Sequence, residues 1–129
     1  MPRYYSGGGP TVDTVLAVLE RSRGRCELCA DELVGERGVR WSLHHRRGRD
    51  RRPDSHSVQN LMAVCGASNI EWCHGSIHGR RSEAQPNGWW LSRIAHQDPL
   101  RVPVLIDRGS QFVYFTADGR YAEHPPETP

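Results

Sequence analysis

Four cysteines, at 26, 29, 65 and 73, and five of the seven histidines, between 44 and 78, crowd one stretch of this 129-residue chain. Cys26 and Cys29 form a C-x2-C knuckle; Cys65 and Cys73 form a wider C-x7-C pair. In a reducing compartment an even count with such a knuckle reads as zinc before disulfides. Four thiolates around one Zn²⁺ make a closed tetrahedral site, which holds structure and does no catalysis. Two other readings stand beside it: buried or disulfide-linked cysteines, and a thioredoxin-like use of Cys26 and Cys29. The latter needs a βαβ context that this sequence does not offer.

The histidines are a different kind of ligand. His74 and His78 stand at i, i+4, so on a helix both project from one face and can grip a metal together. His44 and His45 are adjacent at the end of an alternating segment. Neighbouring strand residues point to opposite faces, so one can aim at a metal and the other at a nucleophilic water. Asn60 precedes a short apolar run, where a carboxamide can bridge backbone across a loop and fix a histidine.

These residues need elements to hold them. Thr11 caps a helix running to about Ser22, with Val12, Val15, Leu16 and Leu19 as its apolar stripe and Gly24 beyond its end. Residues 39–45 alternate as a strand, with Val39, Trp41 and Leu43 on one face. Leu61-Met62-Ala63-Val64 suits a buried second strand, and residues 74–83 suit a short helix. Strand, loop, strand and helix make a β-β-α unit, and the cysteines bracket it. Beyond it, residues 88–92, 102–106, 111–116 and 120–123 read as strands, with Asp118-Gly119 in a hairpin turn. The fold class is α+β in one domain: a flexible arm at 1–10, a metal-clipped unit at 11–83, a β-rich appendage at 84–123 and a Pro-rich tail at 124–129.

Only 36% of residues are apolar, so the core is thin and a metal clip has a reason to exist. No run approaches the ~20 apolar residues of a membrane span, and the N-terminus lacks the apolar stretch of a signal peptide. The expectation is a soluble, cytoplasmic protein. All 17 basic residues are arginine, and seven of them fall between Arg37 and His56 with only two acids, giving that segment +5 where the whole chain is +2. Planar guanidinium groups bind phosphate oxygens two at a time, which suits a polyanionic partner; the plainer reading is a solvated loop.

Leu43-His44-His45-Arg46-Arg47, Gln59-Asn60-Leu61 with Val64-Cys65, and Cys73-His74-Gly75-Ser76-Ile77-His78 together resemble the motif set of the HNH endonucleases. The resemblance covers residues 26 to 80 and implies a ββα-metal (His-Me finger) unit. It places the first H on His45, the N on Asn60 and the last H on His74. His78 resembles the extra helix histidine of the colicin DNases, which also carry His where His44 stands; many members have Asp there. The second cysteine pair is wider than the commoner C-x2-C. The segment from Gly88-Trp89-Trp90 to Tyr121 is similar to small phage-encoded HNH proteins of GC-rich hosts.

The resemblance implies His45 as general base, Asn60 as its support, and His44 and His74, with His78, around one divalent ion (Mg²⁺, Mn²⁺, Ni²⁺ or Zn²⁺). It implies DNA hydrolysis to 5′-phosphate and 3′-hydroxyl ends, with Arg46, Arg47, Arg49, Arg51 and Arg52 gripping backbone phosphates. It further implies a phage packaging partner, the large terminase subunit, for an appendage that holds six of the ten aromatic residues; the alternative is that those aromatics complete the core. The competing function is a zinc-stabilised DNA-binding or regulatory protein without catalysis, which leaves the ordered histidines unexplained.

Overall fold

A computed structural model describes residues 9–48, 52–68 and 70–127. Helix α1 spans Val12–Ser22. Its cap is the expected one: the Thr11 hydroxyl accepts from the Thr14 amide, and Asp13 sits in the first turn, where negative charge is favoured. Its buried face is not the expected stripe. Val12 and Leu16 are 74% and 56% exposed, whereas Val18, Arg21 and Ser22 are buried.

The physical reason is an ion pair that outcompetes the aliphatic stripe. Arg21 and Glu27 lie with fully buried side chains, bonded through two guanidinium–carboxylate contacts at 2.9 and 2.8 Å. Arg21 also donates to the Val58 and Leu61 carbonyls and stacks 3.7 Å from the Phe115 ring centroid. Glu27 further accepts from the Ala63 amide and the Tyr121 hydroxyl. Both charges are thereby fully hydrogen-bonded, the condition for tolerating a buried pair.

Strand β1 (Trp41–His45) pairs antiparallel with β2 (Leu61–Cys65), His44 opposite Met62 and His45 opposite Leu61. A 3-10 turn at Val58–Asn60 leads into β2. Four successive β2 residues are fully buried because the strand is covered on both faces: Met62 and Val64 join one apolar cluster, Leu61 and Ala63 another. Helix α2 (Trp72–Gly79) packs on β2 and is followed by the single turn α3 (Arg81–Ala84).

The C-terminal segment forms a three-stranded antiparallel sheet, β3 (Val104–Ile106), β4 (Gln111–Phe115) and β5 (Tyr121–Ala122), in that order. Its Val104, Ile106, Val113 and Phe115 belong to the same cluster as Met62, Val64 and Ile77, so the sheet completes the central core. Residues 88–92 are not a strand. Gly88 has φ +76°, and a Cβ there would stand 1.9 Å from the Pro103 carbonyl oxygen; the chain turns and presses against a neighbouring segment instead of extending. Among the described residues no helix is long and apolar enough to cross a membrane.

Candidate metal centres and the loop beside them

Cys26 and Cys29 lie in the turn after α1, Cys65 ends β2 and Cys73 is in the first turn of α2. Their sulfurs converge within 4.8 Å of one another, and none is in a disulfide. The Cys29 and Cys65 sulfurs are 3.9 Å apart, close to the ~3.8 Å edge of a tetrahedron with metal–sulfur bonds of ~2.3 Å. Four free cysteines thus face one point, the arrangement that a shared ion needs. The amides of Cys29 and Cys65 donate to the Cys26 sulfur at 3.5 and 3.4 Å. A hydrogen bond from Cys73, with these amides, draws the Cys26 thiol down to about 5. Burial pushes Cys29 up to about 12, and sharing a proton with the Cys26 sulfur pushes Cys73 up. Four thiolates cannot coexist here without a cation to discharge them, so the donor set fits a metal ion.

His44, His74 and His78 form the second cluster, their ligand nitrogens also within 4.8 Å of one another. The ring centroids stand 5.0 to 5.3 Å apart. Each of two rings is oriented by a partner. His44 Nε2 lies 2.6 Å from the Trp89 carbonyl, which can only accept, so Nε2 carries the proton and Nδ1 keeps its lone pair. The Ser42 hydroxyl donates its one proton to the Gly66 carbonyl at 2.6 Å. It therefore accepts from His74 Nδ1–H at 2.7 Å, which frees the lone pair of Nε2. Burial pushes His44 down to about 3 and His74 down to about 4, and it lowers His78 as well. All three are neutral imidazoles near pH 7, the form that binds a metal. Trp90 walls the cluster, its ring 5.1 Å from that of His78.

His45 follows His44 on β1 and meets different neighbours. Its Nε2 is 2.9 Å from Nδ1 of His56, a residue that no sequence pattern marks, since it sits in an Arg-rich loop at no recurring spacing. Asn60 is completely buried and closes that loop: its Nδ2 donates to the Ser55 carbonyl at 2.9 Å and its Oδ1 accepts from the Arg47 amide at 3.0 Å. The Arg46 amide adds a bond to the Asn60 carbonyl at 2.8 Å. The expected loop-bridging carboxamide is thus in place.

The arginines depart from expectation. Arg46 has no exposed surface; it donates to the carbonyls of Gly88, Gln59, Pro99 and Val102 at 2.8 to 2.9 Å. Such a guanidinium cannot reach a phosphate, because four backbone carbonyls already occupy its donors. Arg47 is 3% exposed and pairs with Asp54, so it too is part of the interior. Arg52 is partly exposed and donates to the Arg93 carbonyl and to His96. Arg49 and Arg51 lie outside the described residues. Comparison of the chain with family models, curated proteins and solved structures finds no match.

Proposed function

We propose that this chain is a metal-dependent HNH-type endonuclease, a ββα-metal unit clipped by a structural zinc in the four-cysteine site, which hydrolyses DNA phosphodiester bonds. The observation that carries this reading is the division between adjacent histidines. His44 joins two helix histidines in a neutral three-nitrogen cluster, while His45 turns to His56 on a loop that Asn60 clamps shut. Three neutral ligands leave coordination positions for water and phosphate, the arrangement of a catalytic and not a structural site.

His45 serves as the base: its ring takes a proton from water as the oxygen attacks phosphorus, with His56 fixing the ring's plane. Asn60 holds the loop that carries His56. His44 through Nδ1, His74 through Nε2, and His78 would hold a divalent ion, which supplies Lewis-acid stabilisation of the departing 3′ oxygen. The products are 5′-phosphate and 3′-hydroxyl ends. Nitrogen ligands suit Zn²⁺, Ni²⁺ or Mn²⁺, and Mg²⁺ is served if phosphate and water oxygens complete its shell. Phosphate gripping falls to Arg52, Arg49 and Arg51, with Arg46 and Arg47 withdrawn from that role.

A docking role toward a phage packaging partner, with activity in a host cytoplasm, follows from the resemblance alone. Of the six aromatics after residue 83, Phe115 is buried and Phe112 is 51% exposed. Trp89 and Tyr121 spend their polar atoms inside the molecule, so Phe112 is the best-placed anchor. The test of the nuclease reading is nicking of supercoiled plasmid by the zinc-loaded protein with Mg²⁺, Mn²⁺ or Ni²⁺, alongside His45→Ala. Silence with every metal overturns it in favour of a DNA-binding protein without catalysis.

A further inference from the structure

Between the Arg-rich loop and the segment from 96 to 100 lies an open cleft of about 480 Å³, a size that takes a small ligand. Gln59, which lines it, is only 8% exposed, yet among the described residues no group hydrogen-bonds to its side-chain amide. No fully buried side-chain polar atom lacks a partner among the described residues. The Gln59 carboxamide therefore keeps its polar atoms open to solvent, and as a lining residue it offers them to a ligand in the cleft.

The rest of the lining indicates what that partner is. Asp98 contributes a carboxylate with about half its side chain exposed, one oxygen of which accepts from the Leu100 amide. His96 accepts at Nδ1 from Arg52, so its Nε2 carries a proton for a ligand. Pro53 and Leu100 add apolar surface. Carboxylates and guanidinium groups nearly cancel in this lining, which disfavours a groove meant only for phosphates. A carboxamide and a carboxylate beside apolar walls suit a flat ring with mixed donors and acceptors on its edge. Gln pairs with adenine, and Asp accepts from the cytosine amino group. We propose that this cleft holds a single unpaired nucleobase, with preference for bases bearing an exocyclic amino group over thymine.

The cleft's polar residue adjoins Asn60 in sequence and Arg47 adjoins it in space, so the base would sit on the far side of the loop that carries His56. The site deepens the nuclease reading and rests on it for the source of the base: a free nucleotide, or a base turned out of a strand.

The test is a ¹H–¹⁵N titration of the full zinc-loaded chain. The probe is the Gln59 side-chain amide, assigned by its loss in Gln59→Leu. The ligands are dAMP, dCMP and dTMP, a mixed-sequence single-stranded octamer, and the same sequence as a duplex. A shift of the Gln59 amide with dAMP or dCMP supports the cleft and a free-nucleotide source. A shift only with the single strand supports the cleft and a strand source. Gln59→Leu, followed on the backbone amides that shift in the parent, should weaken the responding ligand about fivefold to tenfold. Asp98→Asn, on an exposed carboxylate, gives the same reading if Gln59→Leu fails to fold. No movement of the Gln59 amide with any ligand, or equal affinity in both variants, overturns the proposal. Plasmid nicking measured on the same samples separates the two ideas: nicking with a silent Gln59 removes only the cleft, and a responding Gln59 without nicking removes only the nuclease.

Discussion

Cys73 and His74 are neighbours on the first turn of α2, and each joins a different cluster. The sulfur cluster draws its four ligands from the turn after α1, the end of β2 and α2, so it ties together segments distant in sequence. With four ligands its coordination is complete. Its thiols resist becoming anionic together, Cys29 and Cys73 being pushed up while Cys26 is drawn down. Such a cluster can present four thiolates only around a cation. The imidazole cluster has three ligands, all neutral by burial, and His78 reaches the surface. It can stand empty at no electrostatic cost. One helix turn therefore serves a four-ligand cluster with no position left over and a three-ligand cluster that is open.

The sharpest way to break that contrast is to remove one ligand from each. Cys26→Ser should abolish the folded state, because a structural zinc contributes about 10–16 kcal/mol in small domains. Near-ultraviolet circular dichroism and zinc content are the readouts. His78→Ala should keep the native spectrum and the zinc while losing the second divalent ion by calorimetric titration. A folded, zinc-free Cys26→Ser protein, or an unfolded His78→Ala protein, would reverse the assignment of the two sites.

The next largest effect asks what else is structural. Arg46→Met would strip four carbonyls of a buried charged donor and should cost about 3–5 kcal/mol. That is a fall in melting temperature of more than ~10 °C for a domain of this size. Arg52→Ala, on a partly exposed residue, should leave melting unchanged but weaken DNA binding and reduce its salt dependence by about one phosphate contact. Equal melting of Arg46→Met and the parent would return Arg46 to the phosphate-gripping set.

These two arginines also mark where reading the sequence stops. The ligand clusters were legible because their information is local: C-x2-C, histidines one turn apart, and alternation along a strand each follow from helix or strand geometry. The second strand was legible because an unbroken apolar run must be covered on both sides. Arg46 was not, since its burial depends on carbonyls from Gln59, Gly88, Pro99 and Val102, a cage that exists only after folding. The face of α1 failed for the same reason: Arg21 is drawn inward by Glu27, Phe115 and two carbonyls, and Val12 and Leu16 are turned outward as a consequence. His56 carries no periodic signal, being placed by the loop closure at Asn60.

Under the nuclease reading, His45→Ala gives the third effect in size. Loss of a general base lowers rates by ~10²–10⁴-fold. Melting temperature and binding of both metals should stay near the parent's, because His45 belongs to neither cluster. His56→Ala should lower the rate less, leaving the base present but its ring free to turn. If His45→Ala nicks plasmid like the parent at pH 7.5, the split between His44 and His45 has no catalytic meaning.

The smallest expected effect tests the link between the two sites. Ser42 touches both neighbourhoods: its hydroxyl donates to Gly66, next to Cys65, and accepts from His74, next to Cys73. Gly66 has φ +100°, and a Cβ there would meet the Glu71 carbonyl oxygen at 2.2 Å, so the turn that presents its carbonyl to Ser42 is tightly specified. Ser42→Ala removes only the hydroxyl. His74 then loses the acceptor that fixes its Nδ1–H tautomer, and its Nε2 lone pair is no longer held toward the cluster. Removing such an outer hydrogen bond commonly weakens metal binding 10–100-fold. The sulfur cluster keeps all four ligands, so zinc content should be unchanged and melting should fall by the worth of the two hydrogen bonds lost, about 1–3 kcal/mol. Calorimetric titration of Mn²⁺ or Ni²⁺ into the zinc-loaded variant reads the first quantity, and thermal melting reads the second. Weakened divalent-ion binding with intact zinc would mean that the hydroxyl orients one site only; zinc loss together with weakened binding would mean that the two centres share one folding unit through Ser42.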